Sequence, residues 1–317
     1  MRKWEIIIFN KTEDDKIEVA LNVSKLRCVF KTTADVLASI TICTIEIYNL
    51  NMKTEGNIIR DGLHVSIFGG YQDAQYGEIF TGEIVQVLRN RENGIDYKLE
   101  IIALRGSGVL DTNHIRCAVA AGSTPRDLIK TISSKADKSI VLGAISDNLP
   151  QQQLPRGKVL FGTAGKYFRD ISINNNAYYW VDEENKLTLK KTADEIPSDR
   201  VLLLTPQTGL IGTPQYTDDG IQIKMLLEPR AKIFGMIASD NEIIRRQLLN
   251  IDVSGKGNGN QLPQQNQFDK DGEYQIKSLS HCGDTYGDDW YTEVIGVSRT
   301  GRIGLTAGEE NEMQTQR

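Results

Sequence analysis

The chain is poor in the residues on which most enzyme chemistry rests. Its 317 residues include three histidines, four cysteines and three tryptophans. His64, His114 and His281 are far apart, so no HExxH pair forms. Cys28, Cys43, Cys117 and Cys282 form no CxxC and no Cys/His ligand spacing, which argues against zinc. GxSxG and GxGxxG do not occur. Gly106-Ser107-Gly108 lacks the Lys-Ser/Thr that completes a phosphate loop. No apolar run approaches the roughly twenty residues of a membrane helix, so membrane insertion is not expected. Met1-Arg2-Lys3-Trp4 leads straight into a strand-length run from Glu5 to Phe9, with no signal-peptide pattern. Folding in a cytoplasm is the expectation, and disulfides are not. Basic excess is also missing. The net charge is -5, which opposes nucleic acid as the main partner.

What is present is β-strand patterning, then a short α/β interlude, then β again. Leu26–Phe30, Ser39–Tyr48, Leu63–Phe68 and Ile79–Arg89 read as strands. Within Ser39–Tyr48 the apolar phase slips at Cys43-Thr44, predicting a β-bulge or a strand buried on both faces. Gly69-Gly70 is expected to close the third strand. Asn93-Gly94 is hairpin-turn chemistry, and Ile95–Leu104 returns as the partner of Ile79–Arg89. Thr124-Pro125-Arg126-Asp127 is a helix start, with Leu128, Ile129 and Ile132 as its buried stripe. Gly143–Gln153 reads as a loop. A second helix spans Gly165–Ile173, ended by Asn174-Asn175-Asn176. A hairpin follows from Ala177 to Lys190. The later strand candidates are Val201–Leu204, Gly220–Leu227, Ala231–Ile237, Tyr274–His281 and Trp290–Ser298. Ser239–Asn250 fits either a helix or an extended segment. Residues 255–271, rich in Gly, Asn and Gln, read as a mobile loop, and residues 306–317 as a polar tail.

Few groupings invite a chemical reading. His281, Cys282 and Asp284 are close in sequence, but neighbours on a strand point to opposite faces, which separates a would-be base from its nucleophile. Asp284, Asp288 and Asp289 lack the alternation of a calcium loop, and Gly283 and Gly287 suffice to explain a turn. Glu183-Glu184 and Asp218-Asp219 are turn acids. Trp180, Trp290 and Tyr291 read as packing aromatics rather than a glycan platform. No catalytic residue, metal ligand or cofactor is assigned.

Several segments together resemble the baseplate hub family of contractile bacteriophage tails. Leu26-Arg27-Cys28-Val29-Phe30 followed by Ile45-Glu46-Ile47-Tyr48-Asn49-Leu50 is similar to its R-x-x-F … I-x-I-Y-N-L pattern. Gly69-Gly70-Tyr71 and Ile79-Phe80-Thr81-Gly82-Glu83-Ile84 resemble its G-Y … I-F-x-G-x-I. Gly212-Thr213-Pro214-Gln215, Leu226-Leu227-Glu228-Pro229 and the segment from His281 through Gly283, Asp284, Trp290 and Tyr291 to Thr292 complete the set. Glu228 departs from the Asn expected before Pro229. The matches run in order from about residue 26 to about 298.

The resemblance implies a mainly β fold. Two tail-tube-like antiparallel β-barrel domains, residues 1–110 and 196–305, would flank a small α/β module at 111–195. It implies a homotrimer whose six similar β modules adapt a six-fold tail tube to a three-fold central spike. The implied partners are the tube or a tube-adaptor protein, the spike and the tape-measure protein, with DNA as passing cargo. The implied location is the virion tail, assembled in the host cytoplasm. The motif residues would be structural. The alternatives are the hub of a tailocin or other contractile injection device, a tail-associated cell-wall-degrading enzyme, and a glycan-binding module.

Overall fold

The computed structural model describes residues 1–11, 17–61, 63–92, 96–192, 194, 196, 201–217, 220–239 and 273–298. The expectations for residues 240–250, 255–271 and 306–317 therefore lie outside the described residues.

The first part is a curled antiparallel sheet. Its elements are β1 (Arg2–Lys11), β2 (Ile17–Asn22), β3 (Cys28–Asp35), β4 (Thr41–Tyr48), α1 (Met52–Asp61), β5 (His64–Tyr71), β6 (Tyr76–Glu92) and β7 (Asp96–Arg105). Ladder order is β3-β4-β7-β6-β5-β1-β2. Period-two alternation turns Ile6 and Ile8 of β1, Cys43, Ile45 and Ile47 of β4, and Leu99, Ile101 and Ala103 of β7 into one core. The expected β6–β7 hairpin is present, with longer arms. The phase slip in β4 produces no bulge, because the ladders to β3 and β7 run unbroken. Nor is β4 buried on both faces, since Ile42 is 49% exposed on the outer one. A β-branched residue suits a strand on either face, so the pattern overstated burial. Gly69-Gly70 does not end its strand either. β5 continues to Tyr71, and the glycines give close approach instead of a stop.

α1 has weak sequence signals. Asn51 caps it by accepting the Thr54 N–H at 2.8 Å, and Glu55 and Ile58 are buried. Gly56 lowers its helical propensity and hides it from the pattern.

The middle of the chain holds α2 (Ser107–Leu110), β8 (His114–Val119), α3 (Pro125–Lys135), β9 (Leu142–Ile145), β10 (Lys158–Thr163), α4 (Ala164–Asn175), β11 (Tyr178–Val181) and β12 (Leu187–Lys190). Thr124 caps α3 in a full capping box with Asp127, and Pro125 opens the helix. α4 buries Tyr167, Phe168 and Ile171 and ends at Asn176, whose φ of 49° is left-handed. Residues 143–153 are not all loop, because β9 adds in parallel to β12 of the β11–β12 hairpin. β8 and β10 form a separate two-stranded ribbon. These elements share a core of their own.

The last part comprises β13 (Val201–Leu204), β14 (Leu210–Thr217), β15 (Gly220–Leu226), β16 (Met236–Ser239), β17 (Glu273–Asp284) and β18 (Trp290–Ser298). The strand expected over 231–237 begins only at Met236. Residues 231–235 turn, with Phe234 at φ 65° and the Gly235 N–H donating to the Lys232 carbonyl. Ala231, Ile233 and Phe234 plug the third core from that turn.

Both β regions belong to one sheet, ordered β14-β15-β18-β17-β3-β4-β7-β6-β5-β1-β2, with β16 beside β17 and β13 beside β16. The fold is thus mainly β, a curled antiparallel sheet with small helices, and its described strands include two parallel pairs, β13–β16 in the long sheet and β9–β12 in the small one.

The capping box gives a direct test of α3. Thr124→Ala is expected to cost about 1 kcal/mol of stability. The readout is the urea midpoint, with an unchanged m-value.

Candidate functional site

The structure brings several of the motif residues together along the seam where β17 pairs with β3. Near its start, β17 pairs with β16 over Glu273–Gln275. From Ser278 to Asp284 it pairs with β3 instead. A bulge between Ile276 and Ser278 makes the switch, and the Lys277 carbonyl accepts the Val36 N–H at 3.0 Å.

Trp290 pins this seam. It opens β18, is 3% exposed, and belongs to the core of the first β region although it comes from the last. Its ring meets Trp4 edge-on at 5.9 Å and Phe30 at 5.7 Å. Its indole N–H donates to the Gly70 carbonyl at 3.4 Å, and the Arg2 guanidinium lies 5.6 Å from the ring centroid. Glycines make the room. A Cβ on Gly283 would stand 2.4 Å from the Phe30 ring and 2.9 Å from Trp290, and one on Gly69 would stand 2.9 Å from Leu227.

The loop between β17 and β18 is clamped by charge. Arg27 donates to Asp284 at 2.8 Å, and the Tyr286 amide donates to the same carboxylate at 3.0 Å. Burial pushes the Asp284 carboxyl up, but these bonds and one from the Gly287 amide outweigh it and hold it below the usual carboxylate range. Arg2 donates to the Gly287 and Asp288 carbonyls. Cys28 and Thr285 exchange bonds, from the Cys28 N–H to the Thr285 hydroxyl at 2.9 Å and from the Thr285 N–H to the Cys28 carbonyl at 3.0 Å. Tyr286, 69% exposed, is carried outward on this fixed loop.

His281 and Cys282 do point apart. His281 is buried, with Nδ1 2.8 Å from the Thr292 hydroxyl. Burial, helped by the positive charges of Lys232 and Arg105, pushes its pKa down to about 3, so the imidazole is neutral in the fold. Cys282 lies on the other face, beside Tyr291, with no imidazole next to it. Asp284 is committed to Arg27, and no group of three or more His, Cys, Asp or Glu with metal-binding geometry occurs among the described residues.

The remaining motif residues are spread out. Tyr48 belongs to the seam, because Arg27 lies 4.7 Å over its ring while its hydroxyl donates to Glu46. Asn49 takes a left-handed φ of 55° and sends the chain from β4 toward α1, and Leu50 packs on the first core. Gly82 is buried where a Cβ would meet the Leu104 carbonyl at 2.7 Å. Pro229 packs against Gly77 near the seam. Glu228 holds the Arg230 guanidinium and also accepts the Arg230 N–H at 3.0 Å, the bond to the second residue on that an Asn would make, and its own N–H donates to the Thr292 hydroxyl. Tyr291 lies under Lys224, whose Nζ is 3.4 Å from the ring centroid. Gly212 and Pro214 are elsewhere, on β14, where a register shift between Ile211 and Gln215 bows the strand. Arg2 and Trp4 were not singled out from the sequence. Arg2 reaches a carbonyl 285 residues away, and nothing local marks such a role.

No family model matches the sequence, and no curated protein sequence matches it. Solved structures do. The 43 kDa tail protein of prophage MuSo2 from Shewanella oneidensis superposes with a TM-score of 0.56 at 11% identity, over 93% of this chain and 98% of that one. A tail protein from Neisseria meningitidis MC58 gives 0.51 at 10% identity, over 94% and 96%. A chain of the half-lidded Francisella PdpA–VgrG complex gives 0.57 at 10% identity, over 96% of this chain but 59% of that one. The chain has a tail-protein fold.

Two outcomes follow from the seam. Trp290→Ala removes the pin and is expected to cost about 3–5 kcal/mol, measured by denaturant unfolding. His281 gives a pH signature. Its folded pKa lies below the unfolded value near 6.5, so the unfolded chain takes up a proton that the fold refuses. Its contribution is intact above about pH 6.5 and is lost as pH falls toward 3. His281→Gln should therefore flatten the decline in stability between pH 6 and pH 4 by up to about 1.4 kcal/mol per pH unit. An unchanged slope would place the acid sensitivity elsewhere.

Proposed function

We propose that this chain is a structural component of a contractile-tail baseplate, the hub that joins tail tube to central spike. The observation that carries the reading is the likeness to the prophage tail protein, which spans nearly all of both chains. The architecture supports it. Two β regions, each with its own core, are fused rigidly through β17–β3 and Trp290. Residues 1–110 and 196–305 would act as two tube-like modules around the α/β module at 111–195. Three copies would give six β modules on the tube side and three-fold symmetry on the spike side. The motif residues at the seam would set the angle between the two modules of one protomer, and hence the closure of the ring. Chemistry plays no part in this reading, and the separation of His281 from Cys282 agrees with that.

A second reading is the hub of a tailocin or other contractile injection device. The likeness to the Francisella complex, as high as that to the prophage protein, favours it. Both readings make the same demand on the isolated protein. Light scattering should return about three times the 35.4 kDa protomer mass, either alone or on addition of the cognate spike. A monomer that ignores the spike would overturn both.

A further inference from the structure

A cleft of about 230 Å³ opens in the α/β module, and none of its lining residues belongs to the β17–β3 seam. It lies between α3, α4 and β10 and is walled by the segment 150–155. Backbone bonds build that wall into the fold. The Leu154 N–H donates to the Ser123 carbonyl and the Gly122 N–H to the Leu154 carbonyl, both at 2.9 Å. Successive side chains of a strand face opposite ways, so Lys158 and Leu160 turn toward the cleft while Val159 and Phe161 turn to the other face of the ribbon.

The floor of the cleft is aliphatic. Ile132, Leu160 and Ile171 are buried there, and Leu128 is half-buried. The rim carries the exposed side-chain amides of Gln152, Gln153 and Asn174. Lys158 and Asp170 are the two charged residues of the lining, one of each sign. Neither forms an ion pair with a described residue. The Lys158 ammonium is 5.9 Å from the centroid of the Tyr167 ring. Asp170 follows Tyr167 by three positions on α4, on the same side of the helix. Both charges therefore border one ring.

These features restrict the ligand. Drug-sized molecules occupy pockets of about 300–1,000 Å³, so this cleft takes something smaller. A lining of zero net charge does not suit phosphates or other polyanions. It offers no aromatic platform for a sugar. Tyr167, the one aromatic in the lining, is 6% exposed, and its hydroxyl accepts the Phe161 N–H at 2.5 Å. A chain terminus brings a single charge and would leave Lys158 or Asp170 unanswered.

We propose that the cleft binds a free α-amino acid with a branched aliphatic side chain. Its carboxylate would meet Lys158, its ammonium Asp170, and its side chain the floor of Leu128, Ile132, Leu160 and Ile171. The amides on the rim would take the remaining carboxylate lone pairs and ammonium protons. The hub reading does not depend on this site, and failure to bind an amino acid would leave the trimer mass unchanged.

Isothermal titration of the full chain with L-leucine tests the proposal. Saturable binding with a dissociation constant below about 1 mM is expected. Leucine methyl ester lacks the carboxylate and N-acetylleucine the ammonium, and each should bind at least about tenfold more weakly. Glutamate and lysine, which would set a charge on the aliphatic floor, should also bind at least about tenfold more weakly. Lys158→Met and Asp170→Asn should each lose about tenfold in affinity for leucine, the first without changing affinity for the methyl ester and the second without changing affinity for N-acetylleucine. Lys158 is exposed and Asp170 half-buried, so both variants should fold, and thermal melts verify it. No saturable binding of leucine, or indifference to both substitutions, would overturn the proposal. So would N-acetylleucine binding as tightly as leucine, which would assign the cleft to a chain terminus, or N-acetylglucosamine displacing leucine at equal concentration, which would assign it to glycan.

Discussion

The pairing of β17 with β3 is the contact on which the rest depends. Without it the molecule would be two β units tethered by the α/β module. With it, a single sheet runs from β14 to β2. Joining segments so distant in sequence costs little more than joining nearer ones, because loop-closure entropy grows only logarithmically. What must be supplied is specificity of register, and Trp290 supplies it. A slip of one residue would turn Gly283 away from Phe30 and drive a side chain into the indole slot. Arg2 and Arg27 then fasten the loop that carries the tryptophan. Such non-local pairing implies slow folding relative to a local meander of the same size.

Local chemistry was legible in the sequence, and distant chemistry was not. The Thr124–Asp127 capping box, the β6–β7 hairpin and the end of α4 at Asn176 each depend on residues a few positions apart, and each is found where the sequence puts it. The opposite facing of His281 and Cys282 follows from strand geometry alone. By contrast, Ile42 looked buried and is exposed, because β-branched residues favour strands whichever face they occupy. α1 was hidden by Gly56, and Ala231–Ile237 looked like a strand because its apolar residues plug a core from a turn. The roles of Arg2 and Trp4 had no local signal. The resemblance quoted Arg27 and Phe30 as motif letters, and only the fold explains why both cluster with Asp284 and Trp290.

The seam also shows how burial and charge divide the work. Trp290, Phe30 and Trp4 are held by packing, which is indifferent to pH. His281 and Asp284 are not. A neutral His281 and an ionised Asp284 are both favoured near neutrality, and both are lost in acid. Nearby cations explain part of each, since Arg27 stabilises the carboxylate while Lys232 and Arg105 discourage the imidazolium. The junction is therefore more stable near neutral pH than in acid.

A sheet this long raises the question of its ends. Exposed strand edges invite unwanted pairing, and proteins blunt them with proline, bulges and charge. β14 does this with Gly212-Thr213-Pro214, which bows the strand away from β15 and removes one N–H donor. The motif residues on β14, remote from the seam, therefore make sense as edge protection.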